Sequence, residues 1–279
     1  MDTAVGIINW NSGHWLKVCI QSLLATSGVA EIIIVDNGST DRSVEGLEKL
    51  SDRVQVIRNP NNRGFAGGVN QVFAATRAPL VLILNPDVES KPGAIERLRN
   101  FLNRELEAGA IGGDVGRDYP PKKLPTAVSL IRENLGMRRS PSVPHGHEPF
   151  EVEQPAAAAL MIRRGAFDAV GGFDESFYPA WYEDVDFCRK LRQAHWKIYF
   201  DPAAEFVHEG GYSTRVLGAG AFAAAYYRNQ LRYVRKHMSR SAALAVRLSI
   251  AAGMAGRTIA SPRMANTYST VFLGALGRW

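Results

Sequence analysis

After Glu209 the chain contains no aspartate or glutamate, although ten arginines and lysines follow between Arg215 and Arg278. Residues 1–209 hold 23 basic groups against 27 acidic ones, a net charge of −4, so the overall +6 conceals a mildly acidic body and a +10 tail. Such asymmetry invites an anionic partner for the tail alone. Cysteine is equally scarce: Cys19 and Cys188 lie too far apart for a zinc knuckle or a CxxC redox pair, and a reducing cytoplasm is the simplest setting. No stretch approaches the roughly 18 uncharged apolar residues that a membrane span requires. The start, Met1 to Ile8, enters a strand-like pattern with no basic leader, so no signal peptide is expected. What remains is ordinary for a globular protein: 279 residues, 46% apolar and 22% charged.

Short Val/Ile-rich runs at Ala4–Asn9, Glu31–Asp36, Val54–Arg58 and Leu80–Asn85 read as buried parallel strands. Between them Gly13–Thr26, Asp41–Leu50 and Gly67–Thr76 have helical length and spacing, with capping groups at Ser39-Thr40-Asp41. This alternation predicts a doubly wound α/β sheet with its ligand site at the C-terminal strand ends. Six of the 14 prolines fall between Asp114 and Phe150, together with Lys122, Lys123, Arg138 and Arg139, which predicts an inserted or mobile segment at 114–150. Order resumes at Pro155–Arg163, followed by a helix start at Glu183-Asp184 and strands at Lys197–Asp201 and Glu205–His208. From Arg215 onward helices are expected, with Tyr226, Tyr227, Leu231 and Val234 on one face and Arg228, Arg232, Arg235 and Lys236 on another. Leu244–Ala255 is apolar but broken by Arg247 and Gly253, suiting a helix that lies on a surface.

Four motifs carry chemistry. Asp36-Asn37-Gly38-Ser39 ends the second strand, where a carboxylate can accept hydrogen bonds from a base N–H or a ribose hydroxyl; the same string also suits a plain strand-to-helix turn capped by Asp41. Asn62-Arg63-Gly64-Phe65-Ala66-Gly67-Gly68 precedes a helix, so its glycines would permit close backbone approach to phosphate or sugar. Its spacing is not the dinucleotide fingerprint, which would follow the first strand, where Asn9-Trp10-Asn11-Ser12 stands instead. Asn85-Pro86-Asp87 closes the most apolar strand; if extended, Asn85 and Asp87 face the same way, as oxygen donors suited to Mg²⁺ or Mn²⁺ on a pyrophosphate. Finally, Glu183, Asp184 and Asp186 crowd one helix start, where the helix dipole stabilises each by about 0.3 to 1 kcal/mol. Asp186 can pair with Lys190 at i+4; Glu183 and Asp184 lack such a local partner and are the better site candidates. His208 stands at a strand end before Gly210-Gly211.

Taken in order, these motifs over residues 3 to about 237 resemble a family 2 glycosyltransferase of GT-A fold, in particular the bacterial rhamnosyltransferase-like branch. The resemblance implies a Rossmann-like, mostly parallel sheet flanked by helices, with a catalytic domain at 1–211 and a basic helical extension at 212–279. It implies that Asp36 holds the nucleotide base with Asn9 and Trp10 beside it, and that Asn62, Arg63, Gly64 and Gly67 flank the donor. Asn85 and Asp87 would occupy the Asp-x-Asp metal motif, with Asp87 and His208 on a divalent ion, Mn²⁺ or Mg²⁺. The substitution of Asn85 for Asp removes one negative charge and should weaken metal affinity. Asp184, with Glu183 beside it, would be the catalytic base of an inverting transfer.

The implied substrates are a nucleotide sugar, dTDP-rhamnose above others, and a glycan or polyprenyl-diphosphate-linked sugar acceptor of bacterial cell-envelope polysaccharide synthesis. The tail, 212–279, would then hold a cytoplasmic enzyme at the anionic inner face of the membrane. A solvated helical face, or a packing helix with a basic exterior, is the plainer alternative for the tail. Nucleic acid is not an expected partner despite the pI of 9.4, because the body is acidic and nucleic-acid motifs are missing; self-association is left open. Two other functions compete: a sugar-nucleotide pyrophosphorylase, which would want a basic Gly-rich loop after the first strand, and a non-catalytic sugar-binding protein, which would not need Glu183, Asp184 and His208 together.

Overall fold

The computed structural model describes residues 3–137, 146–210 and 217–279. The sequence features at Arg138, Arg139, Pro141, Pro144, Gly211 and Arg215, and the side chain of Arg278, lie outside the described residues. In chain order the main elements are β1 (Thr3–Asn9), α1 (Trp15–Leu24), β2 (Val29–Asp36), β3 (Val54–Arg58), α2 (Gly64–Ala75), β4 (Leu80–Leu84), β5 (Val88–Ser90), α3 (Ala94–Arg104) and β6 (Ala108–Asp114). There follow α4 (Ala127–Asn134), β7 (Phe150–Glu151), β8 (Ala159–Arg163), α5 (Arg164–Ala169), α6 (Glu183–Gln193) and β9 (Lys197–His208). The chain closes with α7 (Ala219–His237), α8 (Arg240–Ala260) and α9 (Ala265–Leu273).

The sheet runs β3-β2-β1-β4-β8-β6-β9-β5, with β7 added beside β9. The first four strands are parallel neighbours, as their alternation with helices requires; β8 inserts antiparallel between β4 and β6. Alternate residues of β1 serve opposite faces. Val5 and Ile7 pack with Leu16 and Ile20 of α1 and Leu98 of α3, whereas Ile8 packs with Val69 and Val72 of α2 and, across the sheet, with the layer holding Phe187 of α6. Burial of each such side chain contributes about 1.5–3 kcal/mol, so both faces are closed by apolar layers and the polar strand ends are left as the place for a site.

Several expectations change. Asp41–Leu50 is not an α-helix but a string of turns with one 3₁₀ turn at Leu47–Lys49, because Arg42 and Gly46 adopt left-handed backbone (φ 61° and 73°). Asp41 is spent locally, accepting from the Gly13 and Ser43 amides at 2.7 and 3.0 Å. The two strands expected at 197–201 and 205–208 are one strand, β9, whose pairing with β6 shifts register between Asp201 and Glu205. The proline-rich segment contains α4, closed by a capping box between Thr126 and Ser129.

The C-terminal helices share a third apolar core with the body. Leu231 and Val234 of α7, Val246 and Ile250 of α8 and Val271 of α9 pack with Leu130 of α4 and with Phe177, Tyr182 and Val185 around the start of α6. Much of the tail's positive charge is engaged by acceptors of the protein itself. Arg228, Arg235 and Arg257 donate to the carbonyls of Tyr178, Trp279 and Asn134, Arg232 and Arg247 likewise to backbone carbonyls, and Lys236 reaches Asp174 at 2.6 Å. The tail therefore offers less free charge than its composition implies. Arg240 and Arg263 remain exposed.

Helix α2 lies close on β1 because glycine permits it. A Cβ on Gly68 would stand 2.7 Å from Ile8 Cγ1, and one on Gly6 only 2.4 Å from Val72 Cγ1. Gly68 thus serves helix-on-sheet packing, not the ligand approach expected of the glycine segment. Gly68→Ala is expected to cost about 1–3 kcal/mol by overpacking, read as a lowered Tm in calorimetry with nucleoside-diphosphate binding retained. An unchanged Tm with lost binding would place Gly68 against the ligand instead.

Candidate active site

The site begins where β4 ends. Asn85-Pro86-Asp87 is a turn, closed by the Val88 N–H donating to the Asn85 carbonyl at 3.2 Å. Both side chains still face one cleft. β5 lies antiparallel on β9 with Val88 opposite His208, and this register brings Asp87 Oδ1 within 3.2 Å of His208 Nε2. The two side chains are almost sealed from solvent, 7% and 5% exposed respectively. The His208 ring packs on Tyr119, centroids 4.6 Å apart, and its Nδ1 is buried without a hydrogen-bond partner.

Across the cleft, α6 starts at Glu183 as the sequence predicts, preceded by two left-handed residues, Trp181 (φ 72°) and Tyr182 (φ 74°). Asp184 accepts from its neighbour's amide, Val185 N–H, at 2.8 Å and from Gln154 Nε2 at 3.2 Å. Burial pushes the Asp184 carboxyl above its ordinary value; those two hydrogen bonds and the Lys122 ammonium oppose the rise. Glu183 is pushed well above the usual carboxylate range by burial and by the Asp184 charge, and its Oε2 has no partner. Burial thus raises the proton affinity of both carboxyls, and at Asp184 the hydrogen bonds and Lys122 oppose that rise. Asp186 serves structure instead. Its pairing with Lys190 is loose at 3.9 Å, and its close partners come from α7: Lys236 at 3.0 Å and His237 at 2.6 Å.

A cleft of about 350 Å³ unites Asn85, Asp87 and His208 with Glu183 and Asp184. Tyr119, Lys122, Gln154 and Trp181 also line it. Tyr119 and Gln154 escaped the sequence reading. Nothing local marks Gln154; it reaches the site because Lys122 and Gln154 form an isolated bridge between two loops.

The remaining predicted site residues gather outside that cleft. Asn9 is fully buried, and its Nδ2 donates to Asp36 Oδ1 at 2.8 Å and to Ser39 and Ser43. It orients Asp36, and so does not line a ligand pocket as expected; half-buried Trp10 follows it. Asn62 Oδ1 caps the Gly64 amide at 2.7 Å, and Arg63 pairs with Glu175 at 3.4 Å. Gly64 (φ 76°) would bring a Cβ to 2.8 Å from the Pro179 carbonyl oxygen, while Gly67 faces Arg63 and Glu175. The Phe65 N–H donates to that same Pro179 carbonyl at 2.8 Å, so the glycine segment abuts the loop that leads to Asp184.

A divalent ion needs several oxygen or nitrogen donors around one point. Among the described residues no three of His, Cys, Asp and Glu converge on one point. Asp87 Oδ1 and His208 Nε2 do converge on the cleft, 3.2 Å apart, whereas the buried, unpartnered Nδ1 points away from that contact. A two-residue set fits a hard cation that takes its other ligands from phosphate and water.

Residues 4–167 match the sequence model described as Glycosyl transferase family 2. An N-acetylglucosaminyl-diphospho-decaprenol L-rhamnosyltransferase of Mycobacterium tuberculosis is 30% identical over 234 residues, 74% of this chain and 76% of its own. A mannosyltransferase from Pyrobaculum calidifontis, solved with GDP-Man and Mn²⁺, superposes with a TM-score of 0.62 at 12% identity, over 99% of this chain and 87% of its own. GalNAc-T7, solved with UDP, GalNAc and Mn²⁺, gives a TM-score of 0.66 at 16% identity over 84% of this chain, which spans about half (48%) of that protein. The fold shared with both solved structures is GT-A.

Proposed function

Because this chain belongs to glycosyl transferase family 2 and is a nucleotide-sugar glycosyltransferase, we propose that it transfers L-rhamnose, with inversion, from dTDP-rhamnose to a polyprenyl-diphosphate-linked sugar. The family assignment removes the pyrophosphorylase and non-catalytic alternatives. The observation that carries the reading is the meeting of Asp184 and the Asp87–His208 pair in one cleft. Rhamnose and the lipid-linked acceptor are supported by the mycobacterial relative.

In this reading Asp184 accepts the acceptor hydroxyl proton as that oxygen bonds to the anomeric carbon. The bond from that carbon to the diphosphate breaks, and its electron pair leaves with the nucleoside diphosphate. One base and one displacement invert the centre. Two carboxylates flanking the bond, as in a glycosidase, are not required. Asp87 and His208, with Asn85 beside them, would hold Mn²⁺ or Mg²⁺, which neutralises charge on the leaving diphosphate when bound. Glu183 lies beside Asp184 in the cleft with its proton affinity raised by burial, and Lys122 adds positive charge near Asp184. Asp36 receives the nucleotide at the β2 end, held in place by Asn9. The chain divides in this reading into a catalytic unit at 1–211 and a helical extension at 212–279.

The extension serves as a peripheral attachment to an anionic membrane surface, on the cytoplasmic side where nucleotide sugars are made. Helix α8 has, among the described residues, the length and apolarity to cross a membrane, yet it packs on α4, α7 and α9. Its outward face carries Leu244, Leu248 and Ile259, exposed by 57%, 56% and 83%, with alanines between them. Arg240 and Arg263 stand exposed at its two ends. An apolar stripe ended by cations suits a helix lying in the headgroup layer.

Two measurements test these roles. Asp184→Asn is expected to lower turnover of dTDP-rhamnose by about 10²–10⁴-fold while calorimetric binding of dTDP persists, and Asp87→Ala is expected to abolish its strengthening by Mn²⁺. Undiminished turnover in the first variant would overturn the base assignment. In co-sedimentation, the protein should bind phosphatidylcholine vesicles only when phosphatidylglycerol is included, and Leu248→Glu or Ile259→Glu should release it. Binding that survives both variants would place the attachment elsewhere.

A further inference from the structure

Trp181 and Tyr182, the two residues before the carboxylates, hold consecutive left-handed backbone conformations (φ 72° and 74°) without being glycine. Such conformations persist only where the surroundings over-determine them. The determining contacts come from α7, some 45 residues later. Asn229 is fully buried, and its Nδ2 donates to the carbonyl oxygens of Ala180 and Trp181 at 2.9 and 3.1 Å, with that of Tyr178 at 3.4 Å. Its Oδ1 accepts from Arg232 Nη1 at 3.1 Å, so both ends of the amide are engaged. Beside it Arg228 Nη2 donates to the Tyr178 carbonyl at 2.8 Å, and Gln230 Nε2 to the Tyr182 hydroxyl at 2.8 Å. Asn229 does not line the cleft.

We infer that Asn229 is a positioning residue for the transfer: by bonding the carbonyls of Ala180 and Trp181 it fixes the backbone twist that aims Asp184 into the cleft. The inference rests on the reading of Asp184 as the base. Among the described residues no other side chain bonds both carbonyls, and the opposite flank of the loop is fixed separately. There Asn70 bonds Phe173 and Glu175, and the Phe65 amide meets Pro179. Loss of Asn229 would leave that flank and the Asp87–His208 pair in place while the approach to α6 loosens. The expected result is a loss in the chemical step and not in donor binding. Misplacement of a reacting group by about 1 Å costs on the order of 10²-fold in rate.

The test uses the full chain with Asn229→Leu, which removes both donors at similar volume, and Asn229→Ser, a milder truncation that keeps one donor. Hydrogen exchange by mass spectrometry should show faster exchange over 176–186 with the remaining sheet unchanged. Release of dTDP from dTDP-rhamnose should show kcat lowered by about 10- to 100-fold, with KM for the donor within a factor of about two. A merely structural role would lower Tm but leave kcat per folded molecule and local exchange at wild-type levels, and that outcome in Asn229→Ser overturns the inference even if Asn229→Leu fails to fold. Asp184→Asn run in parallel separates the two levels. If it retains turnover, the base reading fails; if it is inactive while the Asn229 variants turn over normally, only the positioning role falls.

Discussion

Withdrawing a carboxylate from water raises its affinity for a proton, and at the start of α6 two adjacent carboxylates, Glu183 and Asp184, are withdrawn together. Burial raises the proton affinity of both; the Asp184 charge adds to the rise at Glu183, while Gln154, the Val185 amide and the nearby Lys122 oppose it at Asp184. The rest of the molecule can be understood as what keeps this arrangement in place. Two apolar layers close the sheet faces so that strand ends alone are open, and the register of β5 on β9 sets Asp87 against His208 across the cleft. The third core, made from α7, α8 and α9, packs behind the carboxylates on Phe177, Tyr182 and Val185.

That third core changes the meaning of the basic tail. Composition suggests ten cations offered to an anionic partner. In the structure several of them cap carbonyl oxygens or meet Asp174 and Asp186, because a loop of irregular backbone next to a helix start has unpaired acceptors that must be satisfied. Arginine and lysine at the α7 surface supply those donors. Arg235, Lys236, Arg240 and Arg263 are exposed, the first two of them also bonded to acceptors of the protein, and the outward character of α8 is apolar. The balance between attachment and packing is thus decided residue by residue.

What was legible in the sequence follows the same physics. Strands β1, β2 and β4 are largely buried apolar runs and β3 is a half-exposed edge strand beside β2; motifs at their ends fall on one side of the sheet by topology alone. Asp184 stood out because Glu183 and Asp184 lack a local partner. The turns at 41–50 were misread because the helical spacing there gives no sign that Arg42 would turn left-handed. The capping box at Thr126 and Ser129 was visible in principle but lay within a proline-rich stretch. Asn9 and Gly68 were assigned to the ligand because a polar strand end and a helix-start glycine look alike whether they face ligand or protein; only Ile8 and Ser43, brought close by folding, decide between the two. Gln154 and Asn229 were illegible, since each acts on a loop about 30 to 50 residues away.

The central claim is that burial, moderated by Gln154, sets the proton affinity of Asp184. The direct measurement is the pH dependence of kcat/KM, which reports the free enzyme, for the wild type and for Gln154→Met. Asp184 must be deprotonated to accept the acceptor proton, so activity should fall on acidification at a pH above the ordinary aspartate value of 3.8. Removal of the Gln154 hydrogen bond, which favours the charged form, should move that limb higher. A limb at or below the ordinary aspartate value, or one that Gln154→Met leaves unmoved, would contradict it.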